Sequence, residues 1–254
     1  MQNWEQALEK FIGKWKDKKD VVGALVCGSY ITGNPSPHSD IDIHILLSKS
    51  TNYRERGNEY IDGILIEYFA NPLPQHIKYL ESDFNNRRRV NVHMLTTGKV
   101  LFDKTGELKE LIKIANKFKK KKFKASSKIQ NEIAKYFIWD SLDNLEEVYE
   151  SNSKDFEMVY FVSLQDLFNY YTASLQYESI PIHKLRRFLS NKKDQEKYNV
   201  PPFPDSKFQK DFIKAIELKD KTQMMRAYKK IVIHVLNQMG GFNIDGWKIK
   251  TPVE

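Results

Sequence analysis

Three carboxylates and a Gly-Ser pair are the residues of this chain whose types and spacing could do chemistry. Gly28-Ser29 closes the apolar run VVGALVC, Asp40 and Asp42 open a second run, IHILL, and Glu67 interrupts a third, GILIEYF. Side chains on a strand alternate faces, so Asp40 and Asp42 point one way while Ile41 and Ile43 point into the core. Two neighbouring carboxylates repel unless a cation or a shared proton lies between them. Hard oxygen donors of this kind suit Mg²⁺, which keeps waters and takes phosphate oxygens as its remaining ligands. A charge inside so apolar a run as that around Glu67 needs a partner. If its strand neighbours the Asp strand, all three carboxylates converge. Gly28 lets the backbone bend and a phosphate come close, while Ser29 offers a hydroxyl and an N–H. The amides of a short helix after this pair would face the same anion.

The elements that must position these groups can be read from periodicity. Residues 3–17 carry Trp4, Ala7, Leu8, Phe11, Ile12 and Trp15 on one helical stripe. Strands are expected at 21–27, 40–47 and 63–69, with polar residues 48–60 as a connection. Gly33, Pro35 and Pro37 keep any helix after the Gly-Ser pair short. A helix is expected from about Pro74 to Asn86, then VNVHML as a short strand or loop, then KVLFDKTGEL as strand, turn and helix start. His44 shares the face of Asp40 and Asp42 and reads as a structural histidine of the cleft wall. Arg87, Arg88 and Arg89 cannot share one face, so only one or two of them would reach a triphosphate. Beyond Lys124 the segments 126–150, 156–177, 182–190, 206–219 and 221–239 read as helices, with 191–205 as the one long loop. The fold class is therefore α+β: a mixed sheet with helices in residues 1–116, a basic linker at 117–125, and an all-α bundle over 126–254.

Gly28, Ser29, Asp40, Asp42 and Glu67, in this order and on these elements, resemble the nucleotidyltransferase superfamily of polymerase-beta type. Its signature is Gly-Ser or Gly-Gly, a gap of about ten residues, Asp-x-Asp or Asp-x-Glu, and a third carboxylate on a later strand. The VLFDKTG stretch is similar to one that closes the catalytic domain of antibiotic-modifying members. With the helical half and the chain length, the whole arrangement resembles kanamycin nucleotidyltransferase and related antibiotic adenylyltransferases. That resemblance implies transfer of a nucleoside monophosphate from ATP or another nucleoside triphosphate to a hydroxyl, with release of pyrophosphate. Asp40 and Asp42 would hold one or two Mg²⁺, Glu67 would share a metal or orient the acceptor, and Gly28, Ser29 and Ser39 would contact the nucleotide. It also implies a carboxylate base from the bundle, placed here at Asp140 with Glu132 and Asp143 as rivals, and a homodimer.

Composition bounds the partners. The chain has 254 residues, 41% hydrophobic, enough for real cores, and no apolar run near the ~20 residues that span a membrane. The N-terminal MQNWEQALEKF is amphipathic rather than a signal peptide. The single cysteine, Cys27, forms no internal disulfide and reads as a buried, reduced thiol, so a cytoplasmic protein is expected. The net charge of +8 includes six lysines in KFKKKKFK, residues 117–124, read as a solvated linker face. That charge repels a polycationic drug at long range, although the acidic stretch 140–150 offers a local counterweight. A small hydroxylated acceptor is favoured. An RNA-acting nucleotidyltransferase and a silent nucleotide-binding regulatory module stay open beside it. Walker-type loops, CxxC pairs and HExxH are absent.

Overall fold

The computed structural model describes residues 3–33, 35–198, 200–251 and 253. The chain divides into two units, Met1–Lys121 and Lys122–Glu254.

In the first unit, helix α1 (Asn3–Lys16) precedes β1 (Val21–Cys27), a four-residue α2 (Ser29–Thr32) and β2 (Ile41–Leu47). A hairpin of β3 (Glu55–Ile61) and β4 (Ile64–Pro72) follows, then α3 (Leu73–Asn85), α4 (Val90–Thr97), β5 (Lys99–Asp103) and α5 (Glu107–Lys120). The five strands form one mixed sheet in the order β3-β4-β2-β1-β5, with β2 and β4 parallel and the other pairs antiparallel. One face buries Val26, Ile41, Ile43, Ile45, Ile66 and Ala70 against Ala7, Leu8, Phe11 and Trp15 of α1. The other face buries Leu25, Cys27 and Leu46 against α3, α4 and α5, through Leu80, Val92, Leu95 and Leu111. The alternation expected for the Asp strand is met: Ile41 and Ile43 are fully buried on the α1 side.

Three local expectations in the first unit need correction. Residues 55–60, expected within the polar connection 48–60, form with Ile61 the edge strand β3; an edge strand with one wet face carries little apolar pattern. Its Asp62-Gly63 turn, with φ of 51° and 78°, is the two-residue hairpin signal that the polar composition masks. VNVHML lies in α4 instead of a short strand or loop, because Val92 and Leu95, three apart, both turn into the core. Lys117–Lys120 are the last turn of α5 and not linker. Lysines there face the unpaired carbonyls at the negative end of the helix dipole, a favourable placement.

The second unit is helical: α6 (Lys128–Glu150), α7 (Phe156–Ser174), a 3-10 turn at Ile182–Lys184, α8 (Leu185–Ser190), α9 (Lys192–Tyr198), α10 (Ser206–Ala215) and α11 (Lys221–Gln238). Their shared core centres on Tyr160, Phe168, Tyr171, Phe208, Phe212 and Tyr228. Ser127 and Gln130 form a capping box at the start of α6, and Asp205 and Asp220 cap α10 and α11. The expected long loop 191–205 contains α9. Its start is signalled by Asn191, whose side chain accepts from the Lys193 and Asp194 amides.

Candidate active site

The site begins where β1 ends. Gly28 has φ 82°, and a Cβ built on it would run into the Asp42 carboxylate. Both the backbone conformation and the close approach therefore call for glycine. The Gly28 carbonyl accepts from the amide and the hydroxyl of Thr32, each at 3.0 Å, which closes the short turn of α2 that Ser29 opens. The chain returns through a turn in which the Ser39 amide donates to Ser36 O and the Ser39 hydroxyl accepts from Ser36 N at 2.8 Å. Ser39 thus shapes the approach to Asp40, which stands immediately before β2.

Strand register brings the acidic groups together. Asp42 is the direct partner of Cys27 on β1 and of Glu67 on β4. Carboxylate oxygens of Asp40, Asp42 and Glu67 all lie within 4.8 Å of one another, and all three residues are half-buried. An octahedral Mg²⁺ with bonds of about 2.1 Å sets its ligands roughly 3 to 4 Å apart. Small side-chain rotations would bring these oxygens to that spacing. Three convergent hard donors beside a glycine turn fit a divalent cation with room for phosphate oxygens.

The surrounding residues are held by the sheet. Cys27 is buried and reduced, and its thiol faces the Asp42 carbonyl at 3.6 Å. Burial pushes that thiol well above its usual range, and the charges of Asp42 and Asp40 add to the shift. His44 is a wall residue, 4% exposed, stacked on Phe69 at 5.4 Å and 5.5 Å from the His76 ring. Burial lowers His44 to about 4 and His76 to about 3, so both are neutral imidazoles at pH 7. Neither ring nitrogen of His44 has a hydrogen-bond partner among the described residues.

Arg56 is the residue that sequence reading missed here. From β3 its Nη2 and Nε donate to Glu67 Oε1 at 2.6 and 3.2 Å. It could have been found only by first recognising the hairpin that sets β3 beside β4. In the second unit, Asp140 lies on α6 and accepts from Asn144 Nδ2 at 3.2 Å. Its rival Glu132 is paired with Lys135 at 2.6 Å, and Asp143 is exposed. On α7, burial raises the carboxyl of Asp166, a residue the sequence did not single out.

Residues 9–107 match the family described as "Polymerase beta, Nucleotidyltransferase". No curated protein matches the chain. Among solved structures, a nucleotidyltransferase-like protein from Exiguobacterium sibiricum 255-15 is similar at 11% identity and a TM-score of 0.46, over 93% of this chain and 75% of that one. The last likeness is too distant to carry an argument. The family match, however, spans the Gly-Ser turn, β2 and β4, where the three carboxylates meet. Residues 9–107 thus form a polymerase beta-like nucleotidyltransferase domain.

Proposed function

We propose that this protein transfers a nucleoside monophosphate from a nucleoside triphosphate to a hydroxyl of a small acceptor. The observation that carries the reading is the convergence of Asp40, Asp42 and Glu67 beside the Gly28 turn, inside a nucleotidyltransferase domain. The acceptor oxygen attacks the α-phosphorus, the bond to the bridging α–β oxygen breaks, and pyrophosphate leaves. Mg²⁺ held by these carboxylates would supply charge neutralisation on the triphosphate. Gly28 makes room for the Asp42 carboxylate at the turn, Ser29 offers a hydroxyl toward the nucleotide, Ser39 shapes the nucleotide-side turn before Asp40, and Glu67 fixes the third side of the site. ATP as donor and an antibiotic as acceptor form the finer reading, supported by the sequence resemblance to antibiotic adenylyltransferases.

The resemblance to antibiotic adenylyltransferases implies a carboxylate base for the hydroxyl proton. Asp140 is our assignment from the sequence. Glu132 and Asp143 are its rivals from the same helix. Exposed lysines around 117–124 support a second reading in which the acceptor is RNA.

The test is a screen of labelled nucleoside triphosphates with Mg²⁺ against hydroxylated antibiotics and RNA. Asp40→Asn and Asp42→Asn should abolish transfer in a folded protein, since an amide replaces an anionic ligand poorly at a strand end. Transfer near the wild-type rate in either variant would sink the assignment. If Asp140 is the base, Asp140→Asn should lower kcat by about a hundredfold or more with triphosphate affinity unchanged; an unchanged kcat would assign Asp140 to structure.

A further inference from the structure

We propose that Arg56 is a positioning residue for the third carboxylate, and that it sets the charge the site presents to a divalent cation. This rests on the metal-site reading of Asp40, Asp42 and Glu67. Arg56 stands in register opposite Phe69, two residues beyond Glu67 on β4, so it reaches diagonally across the strand pair. Nε and Nη2 both donate to Oε1. Glu67 Oε2 is left outside that fork. The guanidinium also lies over the Phe69 ring, 4.8 Å from its centroid. Phe69 in turn stacks on the buried His44, two residues along β2 from Asp42. A side chain otherwise 68% exposed is therefore steered by a ring anchored in the core and by a carboxylate only 18% exposed.

The arrangement has an electrostatic consequence. Three carboxylates would present three negative charges to a cation; with Arg56 beside Glu67 the cluster presents two. A positive charge several ångströms from a divalent ion, at a dielectric between that of a protein surface and water, weakens binding by about tenfold. Arg56 thus orders Glu67 while holding the site's cation affinity down. A cross-strand pair that served only the sheet would leave cation binding untouched.

Mn²⁺ is the probe, its free concentration read by electron paramagnetic resonance at low ionic strength on the full chain. Arg56→Gln and Arg56→Met should each bind Mn²⁺ about tenfold more tightly than wild type. Arg56→Lys, which keeps the charge, should stay within about twofold. The gain should shrink in high salt, because the effect is Coulombic. Thermal melts confirm folding, and the exposed edge position makes all three variants tolerable. Unchanged or weaker Mn²⁺ affinity in folded Arg56→Gln and Arg56→Met overturns the proposal while leaving the metal site standing. Mn²⁺ binding that is absent, or indifferent to Asp42→Asn, removes the metal site and this proposal together.

Discussion

Gly28 shows how much one residue constrains. Its φ of 82° disfavours any side chain, and the space where a Cβ would go is taken by the Asp42 carboxylate. Gly33, at φ 80°, shares the first constraint and not the second, since among the described residues beyond its chain neighbours nothing lies within 4 Å of its Cβ position. The pair separates strain from collision. Gly33→Ala should cost about 1–3 kcal/mol for its backbone and leave Mn²⁺ affinity unchanged. Gly28→Ala should cost at least as much and also lower Mn²⁺ affinity several-fold, because Asp42 must move away. Urea midpoints and Mn²⁺ titrations of the two variants measure this, and equal Mn²⁺ affinities would rule out the collision.

At the scale of elements, α3 is packed on the sheet partly through His76, 2% exposed. Its folded-state value near 3 lies below the ordinary 6.5. Above pH 6.5 both folded and unfolded chains hold it neutral. As the pH falls from 6.5 toward 3 the unfolded chain takes up a proton that the folded chain refuses, so stability is lost across that window, by an amount on the order of a few kcal/mol. Urea melts at pH 7, 6, 5 and 4 should show a shallower loss in His76→Leu than in wild type; parallel curves would clear His76. The C-terminal turn of α5 gives a second case. Lys117, Lys119 and Lys120 lie in it, and Lys121, just after it, sets its ammonium 4.4 Å from the Phe84 ring centroid. Replacing Lys119 to Lys122 with Gln should lower the melting temperature by a few degrees through lost helix-end and ring contacts. Small-molecule transfer should stay within a few-fold of wild type. A large fall in transfer, strongest on RNA, would move these lysines into the acceptor site.

At the scale of the molecule, each unit closes its own core: two apolar layers flank the sheet in one, and an aromatic-rich cluster fills the other. Residues 121–127 carry no helix or strand, and Lys121, Lys122 and Lys124 are exposed there. Limited trypsin should cut first after one of these lysines and leave two fragments that resist further cleavage, seen by mass spectrometry. The C-terminal fragment should keep its helical circular dichroism. Early cuts scattered within α6 or α7 would show that the second core does not stand alone. Among the described residues, no helix is long and apolar enough to cross a membrane.

The sequence by itself determined the apolar strands, the glycine between them and the carboxylates on or beside them. These follow from local patterning, in which an alternating apolar run states which face each polar residue takes. Hence the sequence alone sets Asp42, Glu67 and His44 on the elements that carry them. The helical segments that hold α6, α7, α10 and α11 were also legible from the sequence. Only the tertiary structure decided that β2 and β4 are neighbours in a register that sets Asp42 opposite Glu67. Pairing between strands far apart in the chain is a global property that no local pattern encodes. The structure alone also showed β3 as a strand, because its wet edge carries no apolar alternation. With it came Arg56, whose partner is 11 residues away along the chain and one strand away in space. The raised carboxyl of Asp166 was likewise hidden, since burial is set by what packs around a helix and not by the helix's own sequence.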